Sequence, residues 1–217
     1  MNVTTNDEQP VYAFGERTIV RPLDRSDCDS IASWKPYSEP ELAPYIIPRR
    51  DKALWDQWFS AQTGRNGNAF AIETKQKEFI GFILLSKIDE TEGSANLHFQ
   101  IDPAKSGERL GLDGLRAFLE LYFGKWRRET LTATVPAYNL RGRGCLRQCS
   151  FVMKDQVWEP EPRGVDVLSI PELAGVRRFF RVVANRTEVQ CLVLETTRLT
   201  WVSKHERWRS KTDKSGG

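Results

Sequence analysis

Between Ser94 and Trp126 the hydrophobic period of this chain changes from about 2 to about 3.6 residues across one glycine-spaced turn, and few folds accommodate that change. In 94–102, Ala95, Leu97, Phe99 and Ile101 alternate with Asn96, His98 and Gln100, which describes a strand with one apolar and one polar face. Residues 103–114 then carry Gly107, Gly111 and Gly114, and Leu112, Leu115, Leu119, Tyr122, Phe123 and Trp126 recur at helical spacing. Strand, glycine turn and helix is an order that can bind anions. Helix N-termini present unpaired N–H groups and the positive end of a dipole, and glycines allow close approach to the backbone. The same order also serves as a plain strand-to-helix turn.

The flanking segments extend the pattern. Thr18–Leu23 reads as a strand, followed by a helix capped at Asp24 or Ser26 and stopped after Trp34 by Pro36. Pro36, Pro40, Pro44 and Pro48 forbid a continuous helix and imply an ordered loop over 36–48 anchored by Tyr37 and Tyr45. Pro48 opens a second helix with Leu54, Trp55, Trp58 and Phe59 on one face. Residues 68–74, 77–89 and 94–102 form an antiparallel meander. Thr130–Val135 is a strand, Asn139–Cys149 a helix weakened by Gly142 and Gly144, Phe151–Trp158 a strand, and Val189–Thr196 a closing strand. One domain is expected over 14–202, with a Pro- and Gly-rich insertion at 159–175, a disordered start over 1–13 and a basic, disordered tail over 203–217. Trp34, Trp55, Trp58 and Trp126 sit at core spacing and are assigned to packing.

Composition narrows the chemistry. A chain of 217 residues buries enough surface to fold without disulfides or a structural metal. Cys28, Cys145, Cys149 and Cys191 form no C-x-x-C pair, and only His98 and His205 are available as further ligands, so no metal site is expected. No G-x-S-x-G or G-x-x-x-x-G-K-[ST] motif occurs. No apolar run is long enough to cross a bilayer, and the polar start MNVTTNDEQP lacks a secretory leader, so a reducing, cytoplasmic setting without membrane contact is expected. With 32 basic and 29 acidic residues, charge does not call for nucleic acid as a partner.

Several strings together resemble one family. T-I-V-R-P-L-D-R-S-D with Trp34, then ANLHFQIDP over 95–103, the loop from Gly107 to Leu115, Asn139-Leu-Arg141 through Cys149-Ser-Phe151, and ETTRLTW over 195–201 follow the order of the GNAT superfamily of acyl-CoA N-acyltransferases. They are most similar to its ribosomal-protein N-terminal alanine acetyltransferase branch. The resemblance implies an α/β (α+β) GNAT fold, a mixed, mostly antiparallel sheet of about seven strands flanked by about four helices. It implies direct transfer of an acetyl group from acetyl-CoA, a co-substrate, to a primary amine of a protein N-terminus or small molecule, by a monomer or homodimer. A catalytically impaired CoA-binding or protein-interaction module is the alternative.

The resemblance also assigns residues. Phe99, Ile101, Gly107, Arg109, Gly111 and Asn139 are the expected cofactor contacts, Arg109 standing where the family usually keeps a phosphate-facing glycine. The family's frequent glutamate base falls on Asn96, which cannot take a proton, and His98 on the same polar face is the expected base, with a histidine hydrogen-bonded at the sheet surface as its other reading. The family's usual acid positions fall on Leu146 and Gly142, neither of which donates a proton. Tyr138 is the expected substitute, with a packing tyrosine as its other reading. Asn139 serves equally as a helix cap, and Cys145 and Cys149 as packing groups.

Overall fold

The computed structural model describes residues 12–43, 51–64, 68–161 and 170–204. The expectations for residues 1–11, for Pro44, Tyr45 and Pro48, for 162–169 and for the tail beyond Lys204 lie outside the described residues. The strands are β1 (Ala13–Phe14), β2 (Thr18–Pro22), β3 (Ala69–Thr74), β4 (Phe79–Asp89), β5 (Ser94–Ile101), β6 (Thr130–Pro136), β7 (Val152–Pro160), β8 (Phe180–Val183) and β9 (Arg186–Thr197). They form one sheet in the order β1-β2-β3-β4-β5-β6-β9-β7, with β8 also paired to β9. Every neighbouring pair is antiparallel except β5 and β6. Helices α1 (Asp27–Ser33), α2 (Lys52–Thr63), α3 (Leu110–Leu119), α4 (Leu140–Gln148) and α5 (198–204) flank it.

The meander's alternation sorts the two layers. Ile83, Leu97, Phe99 and Ile101 face α3, whose Leu115, Phe118 and Leu119 are fully buried. Burying each such side chain contributes roughly 1.5–3 kcal/mol. On the opposite face Phe82 and Ala71 pack under α1 and α2 with Trp34 and Trp55. Trp34 stacks on Phe79 and Phe82 at 5.8 and 6.0 Å between ring centroids, and Trp126 packs against Phe70 and Phe118, so the tryptophans are core. Asp27 and Glu73, both buried, share the guanidinium of Arg21 at 2.7 and 2.8 Å, fastening α1 to the sheet. On the other side Asp113 of α3 accepts from the N–H of Glu16 and Arg17 and from the Thr18 hydroxyl.

Two expectations need correction. The sheet has nine strands where about seven were expected, because the two-residue β1 pairs with β2 ahead of the expected first strand and β8, beyond the expected insertion, folds back on β9. After β7, Pro171–Phe179 forms a 3-10 helix, and β8 then turns on Ala184 and Asn185 (φ 48° and 61°) into β9. Gly111 and Gly114 belong to α3, not to the loop, and their missing side chains let the helix lie on Ile101 and Ile72, where an added Cβ would meet atoms at 2.7 and 2.6 Å.

Helix α4 ends in a Schellman turn, with Phe151 N–H on the Leu146 carbonyl and Ser150 N–H on that of Arg147. Ser150, the left-handed residue (φ 71°), has a buried hydroxyl with no partner among the described residues. Ser150→Gly is therefore expected to stabilise the fold by about 1 kcal/mol, read as a higher urea midpoint at unchanged slope. A lower midpoint would contradict the strain.

Candidate active site

The site begins with a mismatch between the two parallel strands. β5 and β6 pair only at Ser94–Thr130, Ala95–Leu131 and Asn96–Thr132, whereas β5 follows β4 out to Ile101 and β6 follows β9 out to Pro136. The sheet therefore forks after Asn96. Asp102 N–H bonds back to the Ile80 carbonyl on the β4 side, so strand alternation turns the backbone groups of Phe99 and Ile101 the other way, into the fork. Only the Ile101 carbonyl has a described partner there, the Tyr37 hydroxyl, which donates to it at 3.2 Å. A buried strand edge of this kind wants a ligand with amide-like groups.

A cleft of about 460 Å³ fills the fork and continues to the N-terminus of α3. Phe99, Ile101, Gly107, Arg109, Gly111 and Asn139 all line it, so the six expected cofactor contacts converge. Gly107 (φ 91°) and Arg109 (φ 64°) both adopt left-handed backbone, which explains why glycine suits the position that Arg109 holds. Arg109 is the N-cap of α3 but makes no side-chain cap, leaving the first-turn N–H groups and the helix dipole directed at the cleft beside the Arg109 and Lys105 side chains. Asn139 caps α4, its Oδ1 accepting from Gly142 N–H at 2.8 Å.

His98 lies on the polar face of β5, its ring stacked near Phe82 at 5.8 Å and its exposed edge in the cleft. The crowding of the cleft walls holds its pKa below the ordinary 6.5, so it is a neutral imidazole at pH 7. Tyr138 is not brought to the cleft. Its ring is buried with Leu42, Leu173 and Phe180, stacked on Phe180 at 5.5 Å. At the two positions where the resemblance expects an acid, Leu146 is buried and Gly142 has no side chain. Cys145 lines the cleft as a thiol whose pKa burial pushes up to about 11, and Cys149 is buried and shifted further in the same direction, so neither is a ready thiolate.

The loop after α1 forms part of the cleft wall, its Tyr37 hydroxyl reaching the Ile101 carbonyl. Tyr37 and Leu42 line the cleft, and Glu39 pairs with Arg141 of α4. Sequence reasoning passed over Gln100, Lys105 and Arg141 as site residues. Gln100 was legible as the next member of the Asn96, His98 face, and Arg141 as the third residue of Asn-Leu-Arg.

Residues 17–152 match the model of the acetyltransferase (GNAT) domain. No curated protein matches the chain. Among solved structures, a ribosomal-protein-S5-alanine acetyltransferase from Vibrio fischeri superposes with TM-score 0.62 at 15% identity, over 88% of this chain and 98% of its own. A chimera of the spermidine N-acetyltransferase from Vibrio cholerae gives TM-score 0.61 at 17% identity, over 85% and 98%. A GNAT-family acetyltransferase from Bacillus anthracis gives 0.62 at 11%, over 87% and 99%. At these identities the likeness is one of fold.

Proposed function

The chain belongs to the GNAT acetyltransferase family, and on that premise we propose that it transfers an acetyl group from acetyl-CoA to a primary amine by direct transfer in a ternary complex. The observation that carries the reading is the fork. Its one-sided backbone edges at Phe99 and Ile101 suit the amides of a pantetheine arm, and the α3 N-terminus with Gly107 and Arg109 suits a pyrophosphate at the arm's far end. Asn139, whose Oδ1 is spent on its own helix, retains an amide N–H₂ for the arm.

Acetyl-CoA supplies an activated thioester carbonyl, at which a C–N bond forms as the C–S bond breaks. The protein's part is to orient and to move a proton. An α-amine or lysine amine is mostly protonated at pH 7, so the neutral fraction binds, and its nitrogen becomes strongly acidic once it bonds to carbon. His98, neutral and at the cleft edge, accepts that proton. Backbone N–H groups in the fork stabilise charge on the carbonyl oxygen. The departing thiolate, with a thiol pKa near ~8.5, leaves as the anion or is protonated by solvent, which makes the missing tyrosine acid tolerable.

Release of free thiol from acetyl-CoA, followed with a panel of α-amino amides, lysine derivatives, simple alkylamines and polyamines, tests the reading. Amine-dependent thiol release is expected. Acetyl-CoA binding without turnover on any amine would support the impaired-module alternative instead.

A further inference from the structure

Tyr37 reaches into the fork from outside the sheet. Its hydroxyl donates to the Ile101 carbonyl at 3.2 Å and is hydrogen-bonded to the Gln100 side chain as well, so a loop residue occupies the β5 edge where β6 has already parted from it. That carbonyl is one of the backbone groups assigned above to the pantetheine arm. A carbonyl oxygen can accept twice, but the phenol ring that brings the hydroxyl also lines the cleft and takes up room beside β5 that the arm needs. Tyr37 and the arm are rivals for one place.

The segment that carries Tyr37 is lightly fastened. Trp34 and Leu42 at its two ends are buried, whereas Lys35, Pro36, Ser38 and Pro40 between them are exposed. Among the described residues, the side chains of 35–41 bond across to the sheet and to α4 only through Tyr37 and through Glu39, which pairs with Arg141 two residues past the Asn139 cap. A neutral hydrogen bond and a half-exposed ion pair are weak fastenings in net terms, and a segment with little else to hold it opens at small cost.

We infer that 35–41 is an autoinhibitory strap, closed when Tyr37 holds the Ile101 carbonyl and Glu39 holds Arg141, and open when the pantetheine arm of acetyl-CoA takes that carbonyl instead. The inference rests on the acetyltransferase reading, whose co-substrate it concerns. Linkage is reciprocal, so weakening a clasp tightens acetyl-CoA binding, and acetyl-CoA binding frees the strap. Calorimetric titration of acetyl-CoA into the full chain tests the first half. Tyr37→Phe keeps the ring and removes the bond, and is expected to lower the dissociation constant about 3- to 10-fold. Arg141→Ala is expected to lower it about 2- to 5-fold, a direction that loss of a phosphate-binding arginine does not give. A glutamate-specific protease tests the second half. Saturating acetyl-CoA is expected to speed cleavage after Glu41, identified by fragment mass, about threefold or more, where a ligand that merely covered the loop would slow it. Unchanged or weaker binding by Tyr37→Phe would overturn the strap, as would cleavage after Glu41 that is unchanged or slower in the complex. Failure of the wild type and both variants to bind acetyl-CoA at all would instead defeat the underlying acetyltransferase reading.

Discussion

His98→Ala is expected to lower kcat by about 10²- to 10⁴-fold with the KM for acetyl-CoA unchanged, because a positioned proton acceptor contributes a factor of that size to a transfer step. The imidazole is the one titratable group on the polar face of β5, and it sits at the cleft edge next to the fork. Its depressed pKa fixes the shape of the pH profile. Protonation, which disables it as a base, occurs only below 6.5, so the acid limb of kcat should fall below pH 6.5 in the wild type and disappear in the variant. The same shift bears on stability. An unfolded chain binds a proton at this histidine near pH ~6.5 while the folded one binds it lower, so the folded state loses stability as pH falls through 6.5 toward the folded pKa. His98→Ala should flatten that slope. Activity within threefold of the wild type would make His98 a wall of the cleft and nothing more.

Arg109→Glu is expected to weaken acetyl-CoA binding by about 10²- to 10³-fold. A charge-assisted hydrogen bond to phosphate contributes about 1.5–3 kcal/mol, and the reversed charge adds repulsion against a polyanion at the same place. The substitution does not disturb packing, since Arg109 lines the cleft and caps nothing with its side chain. This makes it a cleaner probe than Gly111, whose missing side chain is needed for Ile101 and Phe99 to reach α3. The loss should shrink as salt rises, because the wild-type attraction is screened. Arg109→Gly tests the backbone instead. It relieves the left-handed strain at φ 64° while removing the cation, so stability should rise as affinity falls.

Much of this arrangement could be read in the chain itself, because it depends on local alternation. The period-two run from Ala95 to Ile101 placed His98 and Phe99 on opposite faces, and the glycine-spaced turn marked the start of α3. Residue type did not reveal features set by tertiary register. The fork exists because β6 keeps its pairing with β9 while β5 keeps its own with β4, a competition between strands far apart in sequence. Tyr138 stands one residue before Asn139, yet its ring turns into the cluster with Phe180, because β8 supplies an apolar wall that no motif announced. That hairpin was hidden for a local reason. Its turn places Ala184 and Asn185 in left-handed backbone without the glycine that marks most such turns.

The central claim is that acetyl-CoA occupies the fork between β5 and β6 with its phosphates at the N-terminus of α3. Calorimetric titration of acetyl-CoA into the wild type and Arg109→Glu tests it most directly. The account predicts one saturable site per chain in the wild type and a dissociation constant raised by about 10²-fold or more in the variant. No heat of binding by the wild type up to millimolar ligand, or equal affinity in the two proteins, would contradict it.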